Sequence, residues 1–554
     1  MRISSRWWMA PVLLAVASPL SAQAKGEWTT YGGNDQNQRY STLKLITPAN
    51  VSQLVPRKIF QTGISKLGSF ENTPLVSNGV MYVTTPYNTA MAYDLNTNKE
   101  LWRYEHKLGA VIACCGPNNR GVGMHGPHVY MGTLDAHLVA FDGKTGKVLW
   151  DKEVADPAFG YSITHAPLIV GDNVIVGVSG GEYGIRGHVT AYNAVSGDQV
   201  WRWYSIPAPQ GDPTFDDKAP NGWWGTWATK AEANDLHRDI AKEKADSAKY
   251  ADAWKTGGGG VWTTPAYDKE LNAIFVSVGN PSPDLDGSIR PGDNLYTDAI
   301  VSIDATTGKT NWYYQTVPHD VWDLDATSPP VVVNVGGKKA VVHAGKTAWV
   351  YVLDAATGKL IRKTDNFTPQ ENMFALPSAK GTRMLPGANG GAEWSPIAVD
   401  PTLGYAFVAG LHQPMNYITH SAPYEKGKLW LGSAFVAIPG EEQYGLYSAV
   451  NLKTGKIAWQ NKVPQPMMGG ALATVTGLTF TGEGNGNFNA YNSKTGKLLW
   501  QFNGGAGCNS AAMTFMHGGE QFIAVACGGN FQLSYPLGDA VLVFGFPKRA
   551  VARK

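Results

Sequence analysis

An eleven-residue unit recurs seven times along the chain, as AYDLNTNKELW (92–102), AFDGKTGKVLW (140–150), AYNAVSGDQVW (191–201), SIDATTGKTNW (302–312), VLDAATGKLIR (352–362), AVNLKTGKIAW (449–459) and AYNSKTGKLLW (490–500). Each copy reads as an alternating strand, a turn built on Asp or Asn, and a second strand that closes on Trp in all but the fifth copy. That is the pattern of a β-hairpin. One hairpin cannot bury its own apolar face, so the copies have to pack against one another. Four-stranded sheets repeated at this period, in a chain with 19 Trp and 64 Gly, point to an all-β propeller.

The closing residues of successive copies lie 48, 51, 111, 50, 97 and 41 positions apart. The two long intervals have room for a further unit or a large insertion. Residues 229–254, charged and alanine-rich, are expected to form a helical excursion on the surface. The stretch GEWTTYGG (26–33) is expected to supply the strand that closes the ring against the last blade.

Ahead of the repeats, residues 1–24 read as a secretory signal: Arg2 and Arg6, an apolar run from Trp7 to Ala17, and Ala22-Gln23-Ala24 as the cleavage site. The mature chain, 25–554, is then one propeller domain destined for the periplasm. No segment has the roughly 20 apolar residues of a membrane span. Losing Arg2 and Arg6 takes the formal charge from +2 to 0, which gives nucleic acid no electrostatic footing and leaves small molecules as the expected partners.

Four cysteines are too few to scaffold so long a chain, but an oxidising destination favours pairing them. The segment CNSAAMTFMHGGEQFIAVAC (508–527) holds two apolar runs about the turn signal at 517–520. Folding there brings Cys508 close to Cys527 across the ladder, so a disulfide is expected, with two separately buried thiols as the alternative.

Other stretches between the repeats concentrate chemistry. They are IACCGPNNRG (112–121), VSGGEYG (178–184), GGGGVWTTPAYD (257–268), VSVGNPSPDLDG (276–287), VPHDVWDLDATSPP (317–330) and VHAGKTAW (342–349). Glu182, Asn280, Asp323 and Asp325 supply hard oxygen donors from three of these, although an isolated loop carboxylate usually caps a turn or is solvated.

With these residues in view, over essentially all of its mature length the chain resembles the quinoprotein alcohol dehydrogenases, the methanol and ethanol dehydrogenase family that uses pyrroloquinoline quinone (PQQ). The resemblance implies an eight-bladed propeller that oxidises an alcohol by hydride transfer to metal-bound PQQ. It implies a vicinal disulfide between Cys114 and Cys115 as one wall for the cofactor, the alternative being two free thiols, and Trp262 as the opposite wall. Arg120, Thr164, Ser179, Gly180, Gly181, Lys346, Glu393 and Trp394 fall at cofactor-binding positions. Glu182 and Asn280 match metal ligands and Asp323 the catalytic base. Asp325 is the extra carboxylate of the lanthanide-dependent type, so a lanthanide(III) ion is favoured over Ca²⁺. The family often has Asn where this chain has Glu393, and Trp where it has Met468, which leaves the orientation of PQQ open.

No Cys-x-x-Cys-His occurs, so electrons are expected to leave to a separate acceptor, a soluble c-type cytochrome. No Gly-x-Gly-x-x-Gly opens a helix, so a nicotinamide fold is not indicated. A homodimer is left open. Because tryptophan-docked repeats also resemble non-catalytic outer-membrane assembly propellers, the repeats alone do not distinguish an enzyme from a scaffold.

Overall fold

In the computed structural model, which describes residues 26–64, 66–109, 114–530 and 532–548, each copy of the repeat is the outer hairpin of a four-stranded antiparallel sheet. Eight such sheets form the blades of the propeller, one of them extended by the two-residue strand Tyr40–Ser41. The expected signal segment, residues 1–24, lies outside the described residues. Third strands such as Thr89–Asp94 are buried on both faces, whereas fourth strands such as Val148–Glu153 alternate toward solvent. That gradient follows from stacking blades face to face and leaving only the outer edge wet.

The repeat residues join neighbouring blades. Trp102 donates from Nε1 to the carbonyl of Gly143 at 2.9 Å, and Trp312 to that of Ala355 at 3.1 Å, each reaching the turn of the next blade. A Cβ on Gly358, which has φ +70°, would lie 2.4 Å from the Trp312 ring, so only glycine permits the indole to lie flat on that turn. In the fifth copy Arg362 takes the Trp position and donates to Thr454 O at 3.3 Å.

Only seven copies are visible in the sequence because the eighth blade takes its outer hairpin from both chain ends. Met513–His517, Glu520–Cys527 and Ala540–Gly545 are completed by Val55–Gln61, which pairs antiparallel with Ala540–Gly545. The closing strand is therefore 55–61 rather than 26–33. Within 26–33, Trp28 instead bridges Val76 of the first blade, and Gly26 O accepts from Met516 N of the last. An isolated bridge suffices there because the full ladder is made elsewhere. Cys508 and Cys527 are bonded at the end of the inner hairpin of this blade, whose register pairs Met513 with Ala524.

Both long intervals hold insertions and no extra blade. Residues 229–254 contain the two-residue strands Lys230–Ala231 and Asn234–Asp235 and the helix Ile240–Asp246, N-capped by Asp239. Arg238 ties this excursion down, with 2.7 Å to Asp293 and 2.6 Å to Glu243. The second insertion forms a three-stranded sheet of Thr382–Met384, Met415–Thr419 and Ser433–Ala437.

An antiparallel blade opens two kinds of loop at one end: the loop entering its first strand and the loop joining its second and third. All the chemically marked stretches of the sequence fall in these two classes, so blade topology delivers them to a single face.

Candidate active site

A cavity of about 270 Å³ lies on that face. Cys114, Cys115, Arg120, Thr164, Ser179, Gly180, Glu182, Trp262, Asp323, Asp325, Lys346, Glu393 and Trp394 all line it. Gly181 and Asn280 stand just behind: Asn280 is buried, its Nδ2 donates to Pro281 O at 3.1 Å, and its Oδ1 is 3.6 Å from where a Cβ on Gly181 would be. Met468 is buried in the core and is not part of the lining. Sequence reasoning missed Glu71, Asp284, Asn389, Gln532, Leu429, Leu431 and Phe435, which also line the cavity. Only a carboxylate or amide next to an already suspected loop residue, as Asp284 is to Asn280, offered any local signal.

One wall is cationic and aromatic. Arg120 lies between two indoles, its Cζ 5.1 Å from the Trp262 ring centre and 4.8 Å from that of Trp394. It donates from Nη1 to Thr164 Oγ1 at 3.0 Å and pairs with Glu71 at 2.7 Å, while its buried Nε has no partner among the described residues. Thr164 Oγ1 and Ser179 Oγ are 3.0 Å apart. Glu71, deeply buried, is pushed up to about 7 by burial, against the pull of Arg120.

The other wall is acidic. Lys346 Nζ lies 2.7 Å from Asp323 Oδ1 and 2.8 Å from Asp325 Oδ1. Burial alone would lower the Lys346 pKa, but the two carboxylates together raise it well above its ordinary value. Burial and the nearby Asp284 push Asp323 up; Asp325, which burial would also raise, is held below the usual range chiefly by Lys346. Glu182 rises to about 7, through burial and then repulsion by Asp325. It sits in the tight turn Gly181–Tyr183, where Trp430 N of the second insertion donates to its carbonyl at 2.7 Å. Glu393 is raised by burial and accepts from Trp394 N at 2.5 Å.

Cys114 and Cys115 stand side by side at the rim of the cavity. Their sulfurs stand 2.8 Å apart as thiols, whereas a bond requires about 2.05 Å. Adjacency in sequence brings the atoms together, but closing the bond takes an oxidation step and a further approach of the two side chains. The two sulfurs and a Glu182 oxygen lie within 4.8 Å of one another.

Six acids and two bases line the cavity, a formal excess of four negative charges. Buried carboxylates without countercharge are costly unless they hold a cation, and the donors here are the hard oxygens that large cations take. The indoles, the orphaned Arg120 Nε and the orphaned Trp394 Nε1 suit a planar, polar, anionic ligand beside that cation. The residues present therefore fit both a hard metal ion and an aromatic cofactor.

A family profile described as "PQQ: Glucose/ethanol/alcohol dehydrogenase, beta-propeller domain" matches residues 28–241, 235–371 and 410–523. The quinoprotein alcohol dehydrogenase PedH of Pseudomonas putida is 36% identical over 525 residues, covering 90% of this chain and 85% of its own. The putative dehydrogenase XoxF of Paracoccus denitrificans is 31% identical over 538 residues, covering 91% and 87%. Among solved structures, a europium-containing methanol dehydrogenase superposes with a TM-score of 0.83 at 29% identity, over 94% of this chain and 98% of the other.

Proposed function

The chain belongs to the PQQ-dependent quinoprotein alcohol dehydrogenases, and from that premise we propose that Asp323 is its catalytic base and that Glu182, Asn280, Asp323 and Asp325 hold a lanthanide(III) ion in preference to Ca²⁺. The protein oxidises an alcohol with PQQ. The observation that carries the metal assignment is the second carboxylate: Asp325 is buried beside Asp323 at the same ammonium, which concentrates negative charge where a trivalent ion balances it better than a divalent one.

When bound, PQQ supplies a two-electron oxidant and the metal ion the Lewis acidity that makes a quinone carbonyl electrophilic. The protein's own residues do the rest. Asp323 takes the proton of the substrate hydroxyl, and Lys346, 2.7 Å away, favours the ionised carboxylate against the burial and the Asp284 charge that push it up. Arg120 and Thr164 present donors for a cofactor carboxylate, and Ser179 with Gly180 and Gly181 forms the adjoining rim. Trp262 and Trp394 give flat apolar walls on the Arg120 side, and Cys114 with Cys115, which line the same cavity, give a rigid further wall once joined as a vicinal disulfide in the oxidising compartment.

Electrons then leave to a separate protein, a c-type cytochrome outside the cytoplasm. Cys508 and Cys527 are bonded to each other and Cys114 and Cys115 face the cavity, so none of the four cysteines serves a covalent haem.

Dye-linked alcohol oxidation by apoprotein reconstituted with PQQ and either La³⁺ or Ca²⁺ tests this reading. Turnover of a primary alcohol is expected with both components present and higher with La³⁺. Turnover supported by Ca²⁺ and not by La³⁺ would overturn the lanthanide assignment.

A further inference from the structure

Asp284 has no role in the chemistry above, yet it lines the same cavity. It is 1% exposed, and its Oδ1 has no hydrogen-bond partner among the described residues. Its place is rigidly set: Leu285 N donates to Leu431 O at 2.7 Å, and Arg290 donates to Pro283 O at 2.8 Å and to Asp284 O at 2.9 Å. Arg290 also donates to Asn294 Oδ1 and Asp320 O, so the bonds of this neighbouring cation go to main-chain and amide oxygens and not to the Asp284 carboxyl. Lys346 is committed to Asp323 and Asp325. The adjacent Asp320 is occupied in capping Trp322 N at 2.9 Å and Leu324 N at 2.8 Å.

A buried acceptor left without a donor costs about 1–3 kcal/mol, and a clamped loop that holds one against a cavity gives that cost a use only when a ligand supplies the donor. Leu429, Leu431 and Phe435 from the second insertion line the same cavity, and Leu429 is half exposed. Close to Asp323, whose carboxyl feels the Asp284 charge, the cavity therefore offers an apolar surface and a fixed acceptor.

The geometry points to Asp284 as a specificity residue whose carboxyl receives a second donor group of the substrate, a hydroxyl or an ammonium, so that diols and amino alcohols are favoured over plain alcohols of the same length. This rests on the alcohol-oxidising cavity proposed above. A site built to accept a hydrogen bond discriminates strongly against an analogue that lacks the donor.

The test compares kcat/KM of the PQQ- and La³⁺-loaded enzyme for 1-propanol, 1,3-propanediol and 3-amino-1-propanol and for the butane homologues. The wild type is expected to favour at least one bifunctional alcohol, and Asp284→Leu to reduce that preference about 10- to 100-fold. Asp284→Asn separates the two sources of the donor: it keeps much of a preference for a diol and loses a preference for an amino alcohol. Equal preference ratios in wild type and both variants overturn the proposal and leave the alcohol dehydrogenase reading intact. So does a shifted La³⁺ titration midpoint with equal losses on every alcohol, which would make Asp284 a metal ligand. No turnover of any alcohol by the loaded wild type overturns both.

Discussion

Lys346 donates from Nζ to Oδ1 of Asp323 at 2.7 Å, and the same ammonium lies 2.8 Å from Asp325. One cation thus lies between the buried Asp325 and the partly buried Asp323, and its removal would favour a retained proton on one of them, since like charges so placed do not both ionise. Lys346→Met is expected to lower kcat about 10²- to 10⁴-fold, and Asp323→Asn at least as much, because the amide accepts no proton. Both variants should retain the circular dichroism of the wild type. Near-normal kcat in fully loaded Asp323→Asn would remove it from the role of base.

Asp325→Ala deletes one anionic oxygen donor and spares the base. The La³⁺ concentration needed for half-maximal activity should rise by roughly tenfold or more, with a smaller change for Ca²⁺. A metal titration followed by tryptophan fluorescence reads the same shift without turnover. An unchanged La³⁺ midpoint would place Asp325 outside the ligand set.

The docking of Trp312 on Gly358 makes a contrast with Arg362 on Gly455. A Cβ on Gly358 would sit 2.4 Å from the rigid indole, whereas one on Gly455 would meet the flexible Arg362 Cδ at 3.0 Å. Both glycines have positive φ, +70° and +78°, so the backbone penalty is shared. Gly358→Ala is expected to cost about 1–3 kcal/mol more than Gly455→Ala, measured by denaturant unfolding. Equal losses would show that the indole yields as easily as the arginine.

His165 sets a pH dependence. Its Nδ1 lies 2.9 Å from Ala166 O, to which it donates, and its Nε2 accepts from Gly177 N at 2.9 Å, an arrangement that only the neutral ring satisfies. Burial lowers its pKa from 6.5 to about 4. As pH falls the unfolded chain takes up the proton first, so the stabilisation is complete above 6.5 and is lost progressively down to about 4. The loss from this one ring is on the order of 3 kcal/mol. Unfolding free energies at pH 7.5 and 4.5 should show it, with a shallower difference in His165→Gln; identical differences would exclude His165 as the source.

The propeller was legible because its glue is local and periodic. Asp or Asn, Thr or Ser, Gly and Trp recur at fixed offsets within one hairpin, and most hairpins make the same bond to the next, as Trp102 does to Gly143 and Trp312 to Ala355. The pairing of Cys508 with Cys527 was equally local, read from one turn and two apolar runs. The eighth blade shows no copy of the repeat because its outer hairpin has no single sequence: Val55–Gln61 and Ala540–Gly545 meet only when the ring closes. The cavity divides the same way. Asp323, Asp325, Glu182 and Lys346 stood out because each sits in a stretch matching a known pattern. Glu71 beneath Arg120, Asp284 on its clamped loop, and Leu429 and Leu431 on an insertion belong to no pattern of their own. Their neighbours are far away in the chain, so their burial and missing partners are properties of the closed ring. The sequence alone determined the repeating unit and hence the end of each blade at which its active loops open; tertiary structure decided which unpatterned side chains share the cavity, because ring closure rather than spacing along the chain sets those distances.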